Sequence, residues 1–171
     1  MNLAIDLSLG QYQLYGLIFL IGSFSVATLS DLRRMSAQVE FTEVWTIFIL
    51  IFFVVDLVLW KNSNHIDVFL KWMLILVFLL ISDMRIGFLF KMAKGDLLAC
   101  ASVLILLPFF LGILFLILLK LFDLMMRPIL RHAGAKGAYP FMPVVFITTF
   151  LLFLSEWFIL GKFTLVFTLP F

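Results

Sequence analysis

Charged residues and cysteines are both scarce in this sequence of 171 residues. Charged residues make up 13% of the chain, against about 25% in soluble domains, while hydrophobic residues make up 65%. The chain is therefore predicted to be an integral membrane protein without a sizeable soluble domain. Its single cysteine, Cys100, excludes an intramolecular disulfide and a zinc site built from cysteines. The formal net charge of +2, spread over short loops, argues against nucleic acid as a partner.

Long apolar runs dominate the sequence, and a spanning helix needs about 20 apolar residues. We expect an all-α polytopic membrane protein with about six transmembrane helices, which form one transmembrane domain over residues 1–171. The predicted helices cover residues 12–29, 41–60, 68–90, 96–107, 109–126 and 141–160. The apolar tail 163–171 is too short to span and is expected at the membrane interface. The N-terminus lacks a basic segment, so no cleavable signal peptide is expected.

Positively charged residues are concentrated in alternate loops. Of the 12 Lys and Arg residues, nine fall in or beside the loops after the first, third and fifth predicted helices. These nine are Arg33, Arg34, Arg85, Lys91, Lys94, Lys120, Arg127, Arg131 and Lys136, whereas Lys61, Lys71 and Lys162 fall on the other side. Because cytoplasmic loops carry the excess of positive charge, the N-terminus is predicted to lie outside and these loops in the cytoplasm. We expect a multi-pass protein of the cytoplasmic membrane.

Two aspartates stand where a predicted helix meets a basic loop. Asp31 ends the first apolar run, and Asp96 follows Gly95 at the start of the fourth helix. Carboxylates are costly at membrane depth, so acidic residues in such positions are functional candidates. Two carboxyl groups within hydrogen-bonding reach share a proton, and such a pair can hydrolyse a peptide bond. One carboxylate activates water, and the other carboxyl protonates the carbonyl oxygen and later the leaving amine.

The residues around Asp96 refine this hypothesis and leave alternatives open. Gly95 has no side chain and would let a substrate backbone approach Asp96 closely. The position at a helix N-terminus is expected to lower the pKa of Asp96, because the helix dipole favours the anion. Alternatively, Asp96 is only a helix cap, and Asp31 is a solvated loop residue beside the arginines. Asp83, in the third predicted helix, is the main rival for a place in the pair.

Three short motifs occur in the order found in a known family. They are Ser30-Asp31-Leu32-Arg33-Arg34, Ala93-Lys94-Gly95-Asp96 and Pro140-Phe141-Met142-Pro143. In these features the chain resembles the prepilin and preflagellin peptidases, membrane aspartyl proteases with a Gly-x-Gly-Asp motif, especially their short archaeal members. The resemblance covers nearly the whole chain. It departs from the family at Ala93, which replaces the first glycine of that motif, and at Leu98, where many members carry lysine.

The resemblance implies an aspartic-type endopeptidase with Asp31 and Asp96 as its catalytic pair and Gly95 as the point of substrate access. Its partners would be membrane lipids and type IV prepilin-like or archaellin-like precursors. The short leader of these precursors, a class III signal peptide, would be cut at the cytoplasmic membrane face. Glu43, with Glu40, is expected to attract that basic leader. The chain lacks the cysteine-bearing insert of many bacterial members, so no methyltransferase activity is expected. No metal or cofactor is required, and the oligomeric state is left open.

The remaining acidic residues lead to different expectations. Asp123 and Arg127 lie four residues apart in the order that favours a helical ion pair. Asp56 and Glu156 are expected near the outer interface, solvated or hydrogen-bonded. If such residues carried ions or protons, the protein would be a non-enzymatic small transporter subunit or assembly scaffold. Against this, the sequence shows no second half that repeats the first, as many transporters do.

Overall fold

The computed structural model describes residues 3–5, 9–34, 39–62, 65–82, 90, 92–133, 140–158 and 165–167. Within these residues the chain forms six α-helices, which confirms the predicted all-α fold class. The helices are α1 (Gln11–Arg34), α2 (Val39–Val58), α3 (His65–Ser82), α4 (Lys94–Leu104), α5 (Phe109–Ala133) and α6 (Met142–Phe158), and a short 3-10 helix (Leu59–Asn62) follows α2.

Two three-residue strands join the two ends of the chain, a feature that the sequence did not predict. Strand β1 (Leu3–Ile5) pairs antiparallel with β2 (Leu165–Phe167), and Leu3 lies opposite Phe167. Branched and aromatic residues in these segments favour extended structure. The tail expected at the membrane interface therefore includes a strand that pairs with the N-terminal segment.

Four of the described helices, α1, α2, α3 and α5, are long and apolar enough to cross a membrane. Helix α6 is a shorter apolar helix. Helix α4 differs from all of these, because its 11 residues extend only about 16 Å, against a hydrocarbon core of about 30 Å. The chain is thus a membrane-spanning protein in which α4 is a short helix enclosed by the others.

Helix α4 occupies the centre of the bundle. It packs against α1, α2, α3 and α6, and its residues 99–104 are all buried. Small side chains in the stretch Ala99-Cys100-Ala101-Ser102 let the surrounding helices approach closely. The chain then turns at residues 105–108 into α5, and α1 approaches this turn at Gly16. A Cβ on Gly16 would lie 2.8 Å from the Leu106 side chain, so a larger residue there would displace Leu106.

Helices α1 and α6 run antiparallel, so the bundle has two distinct polar ends. At one end, the backbone N–H of Met142 donates a hydrogen bond to Asp31 Oδ2 over 3.3 Å. At the other end, the N–H of Leu9 donates to Glu156 Oε1 over 3.0 Å. We call the first the carboxylate end, which contains Asp31 and Asp96. The second is the ion-pair end, which contains Asp56, Lys71 and Glu156.

Candidate active site

Asp31 lies in the last turn of α1, which continues to Arg34. The helix is longer than predicted, so Asp31 belongs to a helix and not to a loop. The residue is only 7% exposed. The N–H of Met142 donates to its Oδ2, and the N–H of Phe141 also bonds this carboxylate. The alternative that Asp31 is a solvated loop residue is therefore wrong.

The Pro-Phe-x-Pro segment explains why α6 begins at this carboxylate. Phe141 caps the helix, since its carbonyl oxygen accepts a hydrogen bond from the N–H of Val144 at 3.0 Å. Pro143 has no N–H, and a residue in the first turn does not need one. The donors left in this turn, at Phe141 and Met142, both bond Asp31. Because residues 140–143 are all buried, the carboxylate takes the place of water for these donors.

Asp96 lies in the first turn of α4; the residue as a whole is partly exposed, but its carboxyl group is surrounded by protein. Its carboxylate accepts a hydrogen bond from the backbone N–H of Ala93, the N-cap residue, as in one half of a capping box. Asp96 is the third residue of α4 and Ala93 is the N-cap, so the alternative that Asp96 itself is the N-cap residue is wrong. Ala93 has φ −69° and ψ 159°, an ordinary extended conformation. Alanine can therefore stand at the position of the first family glycine without strain.

The carboxylates of Asp31 and Asp96 interact across α1 and α4. Burial, and secondly the negative charge of Asp31, raise the pKa of Asp96 to about 7, and the hydrogen bond from Ala93 opposes this only in part. The expectation of a lowered pKa is wrong, because it considered the α4 dipole without these two larger effects. Among the described residues, neither carboxylate forms an ion pair. Near neutral pH, Asp96 is thus partly protonated beside Asp31.

Cys100 lies one helical turn beyond Asp96 on α4. Its side chain is fully buried. Burial, together with the charge of Asp96, raises the pKa of the Cys100 thiol well above its usual range. Because the thiolate is the reactive form of cysteine, Cys100 acts here as a packing residue.

An aromatic cluster lies beside the first turn of α6. The rings of Phe90 and Phe141 are 6.1 Å apart, and those of Phe78 and Phe90 are 6.3 Å apart, both edge to face. Lys120 Nζ, on α5, lies 4.7 Å from the centre of the Phe90 ring in a cation–π contact. The cluster thereby joins α3, α5 and α6 at the carboxylate end. Among the 22 phenylalanines of the chain, the third motif singled out Phe141, but no pattern in the sequence selected Phe78 or Phe90.

The sequence predicted three other residues for this site: Gly95, Glu43 and, as a rival to either aspartate, Asp83. Gly95 directly precedes Asp96 in α4 and is partly exposed. Glu43 is exposed near the start of α2, and within the described residues no hydrogen bond or ion pair joins it to either aspartate. Asp83 lies outside the described residues. In the described part of the chain, no three His, Cys, Asp or Glu side chains group as a metal site would require.

Asp56 has strong partners at the ion-pair end. Lys71 Nζ lies 2.5 Å from Asp56 Oδ2 and also donates a hydrogen bond to the carbonyl oxygen of Ile105 at 3.3 Å. The indole N–H of Trp72 donates to the same Asp56 oxygen at 3.0 Å. Asp56 is therefore paired and hydrogen-bonded within the protein. These contacts tie α2 and α3 to the turn that follows α4.

The predicted ion pair on α5 is confirmed. Arg127 Nη2 lies 2.7 Å from Asp123 Oδ2, and the two residues are four positions apart along the helix. Asp123 is only 1% exposed. Its charge is thus compensated within α5, in contrast to the charges of Asp31 and Asp96.

The chain matches no protein-family model, no curated protein and no solved structure. The resemblance to prepilin and preflagellin peptidases thus stays a prediction that rests on three short motifs. Any function must be argued from the residues themselves and from the arrangement at the carboxylate end.

Proposed function

We propose that this chain is a membrane aspartyl endopeptidase whose catalytic pair is Asp31 and Asp96. The observation that carries the proposal is the interaction of two carboxylates from separate helices at one end of the bundle. Among the described residues no cation pairs with either one, and the pKa of Asp96 is raised to about 7. General acid–base hydrolysis needs groups that change protonation near the working pH.

The proposed reaction uses one carboxyl as base and the other as acid. The ionised carboxylate takes a proton from water, whose oxygen attacks the peptide carbonyl carbon, while the protonated carboxyl donates its proton to the carbonyl oxygen. The tetrahedral diol then collapses, the C–N bond breaks, and the amine leaves with the proton that came from water. Gly95 offers no side chain beside Asp96, so an extended substrate backbone has room there. The scheme needs no metal or cofactor.

The proposed substrates are type IV prepilin-like or archaellin-like precursors, from which a short N-terminal leader is removed. Support comes from the spatial relation of the three family motifs. The aspartates of the first two motifs interact, and the third motif bonds Asp31 through its backbone N–H groups. If the three motifs serve one reaction, these segments, which are far apart in the sequence, are expected to come together at the pair of carboxyl groups. The distribution of Lys and Arg supports a cytoplasmic location for this end.

The alternative of a transporter subunit or scaffold has less support from the ion-pair end. Asp56 is paired with Lys71, and Glu156 accepts a hydrogen bond from the N–H of Leu9. Both contacts join separate segments of the chain, as structural interactions do. Asp31 and Asp96 form no ion pair among the described residues, and a one-sided site suffices for proteolysis.

The proposal is tested by incubating the full chain, in lipid vesicles, with a panel of precursors that carry class III signal peptides. Wild type is expected to shorten at least one precursor, and Asp31→Asn and Asp96→Asn are each expected to slow this by at least about 100-fold. The matched control is Asp67→Asn at the ion-pair end. Asp67 Oδ1 accepts a hydrogen bond from the N–H of Phe109 at 3.3 Å, and an asparagine oxygen can replace it.

Each outcome of this assay bears on the proposal. Loss of cleavage in both catalytic variants, with the control variant active, supports the pair. Cleavage that persists in either variant would reject it. If folded wild type cuts no precursor in the panel, the endopeptidase assignment gives way to the transporter or scaffold alternative.

A further inference from the structure

The two aspartates differ in the backbone donors that face them. Asp31 receives the N–H groups of Phe141 and Met142, at the start of the 17-residue helix α6. Asp96 receives the N–H of Ala93, at the start of the 11-residue helix α4. Each backbone N–H that a carboxylate accepts stabilises its charged form. The asymmetry therefore favours the negative charge on Asp31 and the proton on Asp96.

We infer that the first turn of α6 divides the chemical roles within the pair, holding Asp31 as the charged base and leaving Asp96 as the proton donor. The chemical part of this inference rests on the proposed endopeptidase function. The location of the proton is a property of the resting protein and can be measured without a substrate. Phe141 and Met142 are positioning residues in this scheme, because they act through Asp31.

The assigned roles give a balanced reaction. Asp31 takes a proton from water as the water oxygen bonds to the carbonyl carbon, and Asp96 gives its proton to the carbonyl oxygen. When the C–N bond breaks, the proton on Asp31 passes to the leaving amine. A hydroxyl proton of the diol returns to Asp96 as the new carboxylic acid forms. The pair ends the cycle in its starting state, with the charge on Asp31 and the proton on Asp96.

The described side chains at the carboxylate end include few other ionisable groups, and the side chains of Arg33 and Arg34 on α1 lie outside the described part of the chain. The described groups are Cys100 and Lys94 on α4, Glu40 and Glu43 on α2, and Lys120 on α5. Lys94, Glu40 and Glu43 are exposed, Cys100 is buried beneath Asp96, and Lys120 lies over the Phe90 ring. None of them forms an ion pair with Asp31 or Asp96. Burial disfavours the charge on both carboxyl groups, and the backbone donors, two at Asp31 and one at Asp96, are the contacts that distinguish them.

Two substitutions at Met142 distinguish the effect of losing its backbone N–H from the effect of losing its side chain. Met142→Pro removes the N–H that bonds Asp31, at the first position of a helix, where proline is well tolerated. Met142→Ala removes a similar part of the buried side chain but keeps the N–H. Any difference between the two variants therefore reports on the hydrogen bond.

The readout is carboxyl-carbon NMR of the full chain in detergent, with isotope-labelled aspartate. Asp31→Asn and Asp96→Asn assign the two resonances. In wild type near neutral pH, Asp31 is expected to be ionised while Asp96 titrates. In Met142→Pro the proton is expected to move toward Asp31, and in Met142→Ala, which keeps the N–H, the proton is expected to stay on Asp96. In the cleavage assay, the acidic limb of the pH–activity profile should move up by about one pH unit in Met142→Pro alone.

The results distinguish this inference from the proposed function. A proton on Asp31 in wild type overturns the inference, even if the chain cleaves precursors. Equal spectra for Met142→Pro and Met142→Ala overturn the role of α6. If the proton lies on Asp96 but no precursor is cut, the division of charge stands and the endopeptidase function fails.

Discussion

The carboxylates at the two polar ends of the bundle have opposite electrostatic surroundings. At the ion-pair end, Asp56 meets Lys71 and the indole N–H of Trp72, so its charge is compensated inside the protein. At the carboxylate end, Asp31 and Asp96 interact electrostatically, and the charge of Asp31 raises the pKa of Asp96. The first arrangement stabilises the fold. The second is unfavourable for folding, and proteins retain such arrangements at sites where they serve a reaction.

The largest effect on stability is expected at the ion-pair end. Lys71→Met keeps the aliphatic stem but leaves the Asp56 carboxylate, with a side chain only 12% exposed, without its cation. Breaking a buried pair in this way costs about 3–5 kcal/mol. Denaturant unfolding in lipid–detergent mixtures measures the loss. The double variant Lys71→Met with Asp56→Asn should recover much of it, and a single variant as stable as wild type would show that the pair is not structural.

The stability of the protein should depend on pH through Asp96. Its pKa is raised from an ordinary value of 3.8 to about 7 in the folded chain. Between these values the folded chain binds the proton and the unfolded chain releases it, so stability falls as pH rises through this window and is level above it. Melting temperatures across the window should show this fall in wild type. Asp96→Asn should remove it, and an unchanged pH dependence in that variant would contradict the raised pKa.

The carboxylate end should tolerate the loss of a charge. Asp31→Asn removes the negative charge beside Asp96 but keeps an oxygen for the N–H of Met142. We expect its stability above about pH 7 to equal or exceed that of wild type, in contrast to Lys71→Met. Unfolding of the two variants side by side measures this. A loss of more than about 1 kcal/mol in Asp31→Asn would mean that the charge of Asp31 is structural.

The smallest effect is expected at Glu43, which is exposed on α2. Glu43→Gln should leave stability unchanged, because single exposed charges contribute little. If Glu43 attracts the basic leader, the variant should cut precursors with strongly basic leaders a few-fold more slowly at low salt, and others as wild type does. Rates for a series of leaders of different charge test this. Equal rates throughout the series would remove Glu43 from the substrate site.

The helices and the position of the two aspartates at one end of the bundle were predictable from the sequence, but the surroundings of their carboxyl groups were not. Apolar runs and loop charges predict where helices begin, and they place Asp31 and Asp96 at one end. The contact between Asp31 and Met142 joins residues 111 positions apart, which no local pattern encodes. Only Pro143 gave indirect evidence for the position of Met142, because a proline in the first turn indicates a helix start.

The error about Asp96 has the same origin. The helix dipole is a local effect that can be inferred from the sequence. Burial by neighbouring helices and the charge of Asp31 are tertiary effects, and they outweigh the local one. The pairing of Asp56 with Lys71 was also missed, because two helices that follow one another show their facing residues only after they pack.

The most direct test of the account is the titration of Asp96 by carboxyl-carbon NMR in wild type, Asp31→Asn and Asp56→Asn. The two variants remove the same charge from opposite ends of the bundle. If Asp31 and Asp96 share one site, the midpoint for Asp96 should fall in Asp31→Asn and stay at the wild-type value of about 7 in Asp56→Asn. An unchanged midpoint in Asp31→Asn would contradict the pair and, with it, the proposed function.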